Sequence, residues 1–173
     1  MRRSSTIICV CIAAFSIATF RSASADDSMS SGSTMGLPKD HQYLIGTWTC
    51  DVQLAAMGGQ GPTTDHGTMT IALSPSMTLH SHVVAKDYMS DSYQGYVTKT
   101  KTHWIASSDT QGNTTLETSM NGSVFTGTTW QAGAATPTRD TQSKISDTKI
   151  HDVTEFKMNG KWSKLADVVC TKG

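Results

Sequence analysis

The chain has 173 residues, of which 37% are hydrophobic and 16% charged, a length that suits one domain with a real core but not comfortably two. Its 26 Thr against only two Glu, Glu117 and Glu155, deplete helix formers and enrich a strand former, which argues against an all-helical fold. Basic and acidic residues balance at 14 each and no basic cluster exceeds Arg2-Arg3, so there is no electrostatic footprint for DNA or RNA, and nucleic acid is not an expected partner.

Residues 1–25 carry Arg2 and Arg3, then the apolar run Ile7 to Phe20, then Ala23-Ser24-Ala25. This order predicts a secretory signal peptide cleaved after Ala25 and hence an exported, periplasmic or secreted protein. The apolar run is shorter than the ~20 residues of a spanning helix and no later stretch approaches that length, so no membrane span is expected. Neither leader cysteine, Cys9 nor Cys11, follows the small residue that an acylation site needs.

Residues 26–42 are rich in Ser, Gly and Met without periodicity and read as a flexible linker, leaving 43–173 as the folded domain. From residue 43 the period becomes two, with Leu44, Gly46, Trp48, Cys50, Val52 and Leu54 on one face. Residues 55–65 hold Gly58, Gly59, Gly61 and Pro62 and read as a loop. Met69, Ile71 and Leu73 then alternate with polar positions up to Ser74-Pro75-Ser76, and Met77, Leu79, Ser81, Val83 and Ala85 alternate beyond it, which predicts two strands and a turn. Residues 92–107 read as one longer extended stretch ending in a turn at 108–112. Two Asn-Gly dipeptides, Asn121-Gly122 and Asn159-Gly160, predict two-residue hairpin turns. Residues 132–137 read as a small-residue loop and 138–146 as extended.

These elements amount to eight or nine strands at hairpin spacing with no helical period after the leader. They predict an all-β, up-and-down antiparallel fold. Only Cys50 and Cys170 lie beyond the leader, one on the first strand and one on the last. In an oxidising compartment they are expected to bond, which brings the end strands together and closes the sheet into a barrel. An eight-stranded barrel has room for packed side chains or one small ligand.

The segment Leu44-Ile45-Gly46-Thr47-Trp48 resembles the Gly-x-Trp signature of the first strand in lipocalins, fatty-acid-binding proteins and nitrobindins, the calycins. Together with the ending Phe156-Lys157-Met158-Asn159-Gly160-Lys161-Trp162, it resembles an uncharacterised bacterial family of exported lipocalin-like domains. The resemblance implies a barrel, not an activity. It assigns Trp48 to packing at the barrel end. In lipocalins an Arg near the C-terminus covers that Trp, whereas here the only Arg beyond the leader is Arg139, with Lys164 and Lys172 near the end.

Candidate chemistry is sparse. His80 and His82, at i and i+2, share a strand face and are the best metal signal, yet the apolar alternation places them toward solvent and no metal ligand set is completed. Met69, Met77 and Met89 would suit a soft ion such as Cu(I), but Met more commonly fills cores. A haem reading by resemblance to nitrobindins would use His103 or His151, and no cofactor is expected. Residues 58–61, Gly-Gly-Gln-Gly, lack the following helix that a phosphate loop needs. Glu117, Arg139 and Asp152 would form a polar cluster if they pointed inward.

The leading expectation is therefore an exported β-barrel that binds a small, mainly apolar molecule and has no assigned catalytic residues. The alternatives are a barrel enzyme, isomerase- or hydrolase-like, using an interior carboxylate or His, and a non-catalytic cell-envelope interaction module marked by an exposed apolar patch.

Overall fold

The computed structural model describes residues 37–56 and 61–173; the leader, most of the linker and residues 57–60 of the glycine-rich loop lie outside them. A 3-10 helix, Lys39–Leu44, leads into ten strands: β1 Gly46–Leu54, β2 Thr63–Leu73, β3 Leu79–Ala85, β4 Met89–Val97, β5 Thr102–Asp109, β6 Asn113–Ser119, β7 Val124–Gln131, β8 Ala134–Ser146, β9 Lys149–Met158 and β10 Lys161–Lys172. Each strand pairs antiparallel with its sequence neighbours, and β1 pairs with β10, so the sheet is a closed up-and-down barrel. Among the described residues no helix is long and apolar enough to cross a membrane.

The strand count is ten rather than eight or nine because the stretch read as one extended run is two strands, β4 and β5, joined by a turn over residues 98–101. That turn carries Lys101 at φ 54°, a left-handed conformation in a segment with no Gly, Asn or Pro to advertise it. The 132–137 segment is likewise not a loop. Ala132 (φ 48°) and Gly133 (φ 83°) make a tight two-residue turn, Gln131 pairs with Ala134, and β8 begins at once. Asn159-Gly160 forms the expected two-residue turn, with Met158 opposite Lys161 and φ of 51° and 79°. Asn121-Gly122 does not: the connection spans residues 120–123, where Ser119 Oγ accepts from the Gly122 amide and Asn121 Oδ1 from the Ser123 and Val124 amides.

The seam between first and last strands runs from Trp48 opposite Lys172 to Leu54 opposite Ala166, with Cys50 directly facing Cys170. The two cysteines are disulfide-bonded, their Cα atoms 4.0 Å apart. Around this seam Leu44, Trp48, Ile71 and Leu79 form the apolar core, joined by Met69, Ile150 and Val168. Trp48 is fully buried and donates from its indole N–H to the Leu44 carbonyl at 2.8 Å, which ties the 3-10 helix across the start of β1. Lys172 Nζ lies 5.3 Å from the centre of the Trp48 ring and donates to the Tyr43 carbonyl at 2.8 Å. The cation over the buried tryptophan is therefore a lysine. Gly46 makes room for it: its φ is 140°, and a Cβ there would meet Lys172 Cε at 2.6 Å.

Candidate functional site

Directly paired residues of adjacent strands share a face, so the buried Trp48, Cys50 and Cys170 fix which residues face the interior all the way around. Following the register, the inner wall carries Ser81 and Val83 on β3, Ser92 and Gln94 on β4, Ile105 and Ser107 on β5, Thr115 and Glu117 on β6. It continues with Phe125 and Gly127 on β7, Thr138, Asp140 and Gln142 on β8, and Asp152 and Thr154 on β9. Apart from the apolar end around Trp48, this wall is mostly hydroxyl, amide and carboxyl. Ser81, Ser92, Ser107 and Thr115 all point inward and are less buried than Trp48 and Phe125.

Three carboxyl groups gather on this wall. Glu117 is 1% exposed, and beside it Gly127 presents no side chain. A Cβ at Gly127 would run into the Leu116 carbonyl and the Glu117 backbone, so glycine is needed for β6 and β7 to approach here. Beyond Gly127 in the same row stands Thr138, 2% exposed. Asp140 is two residues along β8, and Asp152 faces it diagonally through the pair Gln142–Asp152. Neither oxygen of Glu117, nor Thr138 Oγ1, Asp140 Oδ1, Asp152 Oδ1 or Gln94 Nε2, has a partner in hydrogen-bonding geometry. Buried polar atoms are nearly always satisfied, which makes this concentration exceptional.

The electrostatics follow from that crowding. Burial, and then the neighbouring Asp140 carboxylate, push the Glu117 carboxyl up to about 8. Burial also raises Asp140, opposed by Thr154 and by Glu117, while Asp152 is held well above the usual range by burial and Asp140. Raised to about 8, the Glu117 carboxyl keeps its proton into the neutral range beside Asp140, as carboxyls crowded together in a poorly solvated place do. Tyr88, near Asp109 and Asp140, is raised too, chiefly by burial.

Glu117 and Asp152 thus face inward as the polar-cluster reading required, but Arg139 does not. It is on the outer face of β8, where its guanidinium meets Glu155 at 2.6–2.7 Å and lies 4.6 Å from the Trp162 ring centre. The third member is Asp140, which sequence reasoning missed. Strand alternation offered the signal, since Asp140 is two residues from Thr138 and Arg139 is between them. The candidate haem ligand His151 is also outside, 2.7 Å from Asp167, because the inward residues of β9 are Ile150 and Asp152. His103 faces inward, 4.7 Å from Tyr96 and 5.1 Å from His41 by ring centres.

On the outer face, His80 and His82 both reach Asp91 Oδ1, at 2.9 and 3.0 Å, and these bonds hold Asp91 below the usual carboxylate range. Among the described residues no group of three or more His, Cys, Asp and Glu is placed to hold a metal ion. The three candidate methionines are separated, Met69 inward, Met77 in a turn and Met89 outward. Outside the lumen, a cleft of about 330 Å³ at the ends of β1, β2 and β10 is lined by Leu54, Pro62, Lys164 and Asp167 among others. Tyr93, Ala106 and Leu116 make an apolar row across the outer face of β4, β5 and β6.

No family model matches the chain, and no curated protein matches it. Among solved structures it is similar to Rv2717c from M. tuberculosis, with 12% identity and a TM-score of 0.60, over 80% of this chain and 99% of that one. It also matches a protein of unknown function of the DUF3598 family from Nostoc punctiforme, with 11% identity and a TM-score of 0.44, over 82% of this chain and 51% of that one. The first likeness carries the barrel fold and no activity.

Proposed function

We propose that the chain is an exported, calycin-type barrel protein that holds a small molecule in its lumen, with the polar inner wall around Glu117, Asp140 and Asp152 as the recognition surface. One observation carries this reading: several inward polar side chains are only half-buried while the deepest polar atoms beside them lack partners. Such atoms cost free energy when left unpaired, and a ligand that supplies their hydrogen bonds recovers it. The ligand expected from the sequence was mainly apolar. The wall favours a molecule with an apolar body against the Trp48 end and a hydrogen-bonding group at the carboxyl cluster. Export is supported by the leader motif and by a disulfide, a bond that persists in oxidising compartments.

A second reading, a barrel enzyme, is favoured by Glu117 alone, since a buried carboxyl titrating near neutrality is suited to proton transfer. Native mass spectrometry of protein purified from the periplasm without detergent tests the binding reading, together with a thermal-shift screen. A retained small molecule, or stabilisation by compounds bearing hydrogen-bonding groups, is the expected result. A bare mass with no stabilisation across the screen would sink it.

A further inference from the structure

We infer that the ligand site on the inner wall selects an organic cation bearing several N–H donors, of the amine, amidine or guanidine class. This deepens the lumen-binding reading and rests on it. Glu117, Asp140 and Asp152 interact with one another, with Thr138, Thr154 and Gln142 and with the Val153 amide, and no basic side chain is among their partners. The basic groups close enough in the fold to have served are committed elsewhere. Arg139 pairs with Glu155 on the outside, Lys144 with Asp147, Lys164 with Asp167, and Lys172 with the Tyr43 carbonyl. The other titratable groups that share the inward register are Asp65, Asp109, Tyr96, His103, Lys144 and Lys172, with Tyr88 near Asp140. None of the basic ones is among the partners of the three acids.

Thr138 adds an observation of a different kind. It is not an acid, it is 2% exposed, and its hydroxyl stands beside Glu117 without forming a hydrogen bond of good geometry. The unpaired hydroxyl and the unpaired carboxyl oxygens leave more acceptor positions than the Thr138 hydroxyl, the Gln94 amide and the Glu117 proton can fill. Among the described residues no group of three or more His, Cys, Asp and Glu is placed to hold a metal ion. A cation whose donors are spread over several nitrogens reaches separated acceptors, and guanidinium and amidinium groups do so in bidentate fashion. Binding ionises carboxyls that hold protons in the empty protein, so a cation enters as protons leave.

The test uses the leaderless, disulfide-bonded protein with benzamidine, agmatine and putrescine as cations and benzamide and 1,4-butanediol as neutral counterparts. Isothermal titration at pH 7 in two buffers of different ionisation enthalpy reads both affinity and proton release. The cations are expected to bind with release of about one proton per molecule. Glu117→Gln and Asp152→Asn are each expected to weaken binding roughly tenfold or more, as the loss of a charge-assisted hydrogen bond does. Proton release by the unsubstituted protein needs no variant to fold. Equal affinity for benzamide and benzamidine, or cation binding unaffected by either substitution, overturns the cation inference and leaves the lumen reading standing. If neither class binds, and the wider screen stabilises nothing, both fall together.

Discussion

At the scale of single residues, the decisive feature is the difference between neighbours on β8. Arg139 and Asp140 are adjacent in sequence and on opposite faces of the wall, one in a partly exposed ion pair and the other in the lumen. A reading of charge types alone groups Arg139 with Glu117 and Asp152; only the period-two alternation, counted from Thr138, separates them. The inward direction of Glu117 was not legible until the register was known, because the apolar residue of β6, Leu116, lies on the outer face and the hydrophobic contrast points the wrong way. The consequence of its burial is measurable. The Glu117 pKa rises from an ordinary 4.5 to about 8 in the folded protein, so between those values the native state binds more protons than the unfolded chain. The Glu117 contribution to stability is then greatest at acidic pH and falls as pH rises through this window, opposite to that of a salt-bridged carboxylate. From pH 5 to pH 7.5 the Glu117 contribution is lost to the extent of on the order of 3 kcal/mol. Urea denaturation at the two pH values should show a loss that is smaller in Glu117→Gln than in the natural protein by about that amount, the remainder coming from Asp140 and Asp152. Glu117→Gln should also be the more stable of the two at pH 7.5, and a variant less stable there would contradict the buried-acid account.

At the scale of elements, legibility followed the contrast between faces and the residues at the turns. The alternation of β1, β2 and β3 was readable because Trp48, Ile71 and Leu79 face a real core while Thr and His face out. The turn at Asn159-Gly160 was readable because both residues accept positive φ readily. The turns at Lys101 and Ala132 were hidden for the converse reason, since each places a residue at φ near +50° that local preference would not choose. There the closure of the hairpin by its flanking strands overrides the turn's own propensity, as in Gln131 opposite Ala134. This makes the Ala132-Gly133 turn a place where the fold tolerates strain. Ala132→Asn would create a third Asn-Gly turn at a position that already has the required backbone. It should stabilise the protein by about 0.5–1 kcal/mol, because Asn visits the left-handed region at lower cost. Chemical denaturation of the variant measures this directly, with no change expected in far-ultraviolet circular dichroism. A destabilised Ala132→Asn would mean that the turn is not the two-residue form.

At the scale of the whole molecule, everything in the lumen depends on the seam where the polypeptide meets itself. Nine of the ten strand pairings join sequence neighbours through short connections, and one joins β1 to β10 across most of the chain. That last pairing must overcome the largest loop-closure entropy, and it alone turns a curved sheet with two edges into an enclosure. The Cys50–Cys170 bond crosses this seam between directly opposed residues separated by 120 positions. In the simple chain model such a cross-link removes about 4–5 kcal/mol of unfolded-state entropy, a large share of a small domain's net stability. The remaining β1–β10 register, from Trp48–Lys172 to Leu54–Ala166, and the cover of Lys172 over Trp48 do not involve sulfur. The Cys50→Ser, Cys170→Ser double variant is therefore expected to fold to the same barrel, with its midpoint in urea sharply lowered and its denaturant slope increased by the more extended unfolded chain. Amide exchange should locate the loss, with β1 and β10 opening earlier than β5 and β6, which lie opposite the seam in the strand order. Uniform loosening of all ten strands, or unchanged stability, would show that the closure is held by the backbone ladder alone. In that case the bond's role in keeping the lumen shut would have to be abandoned.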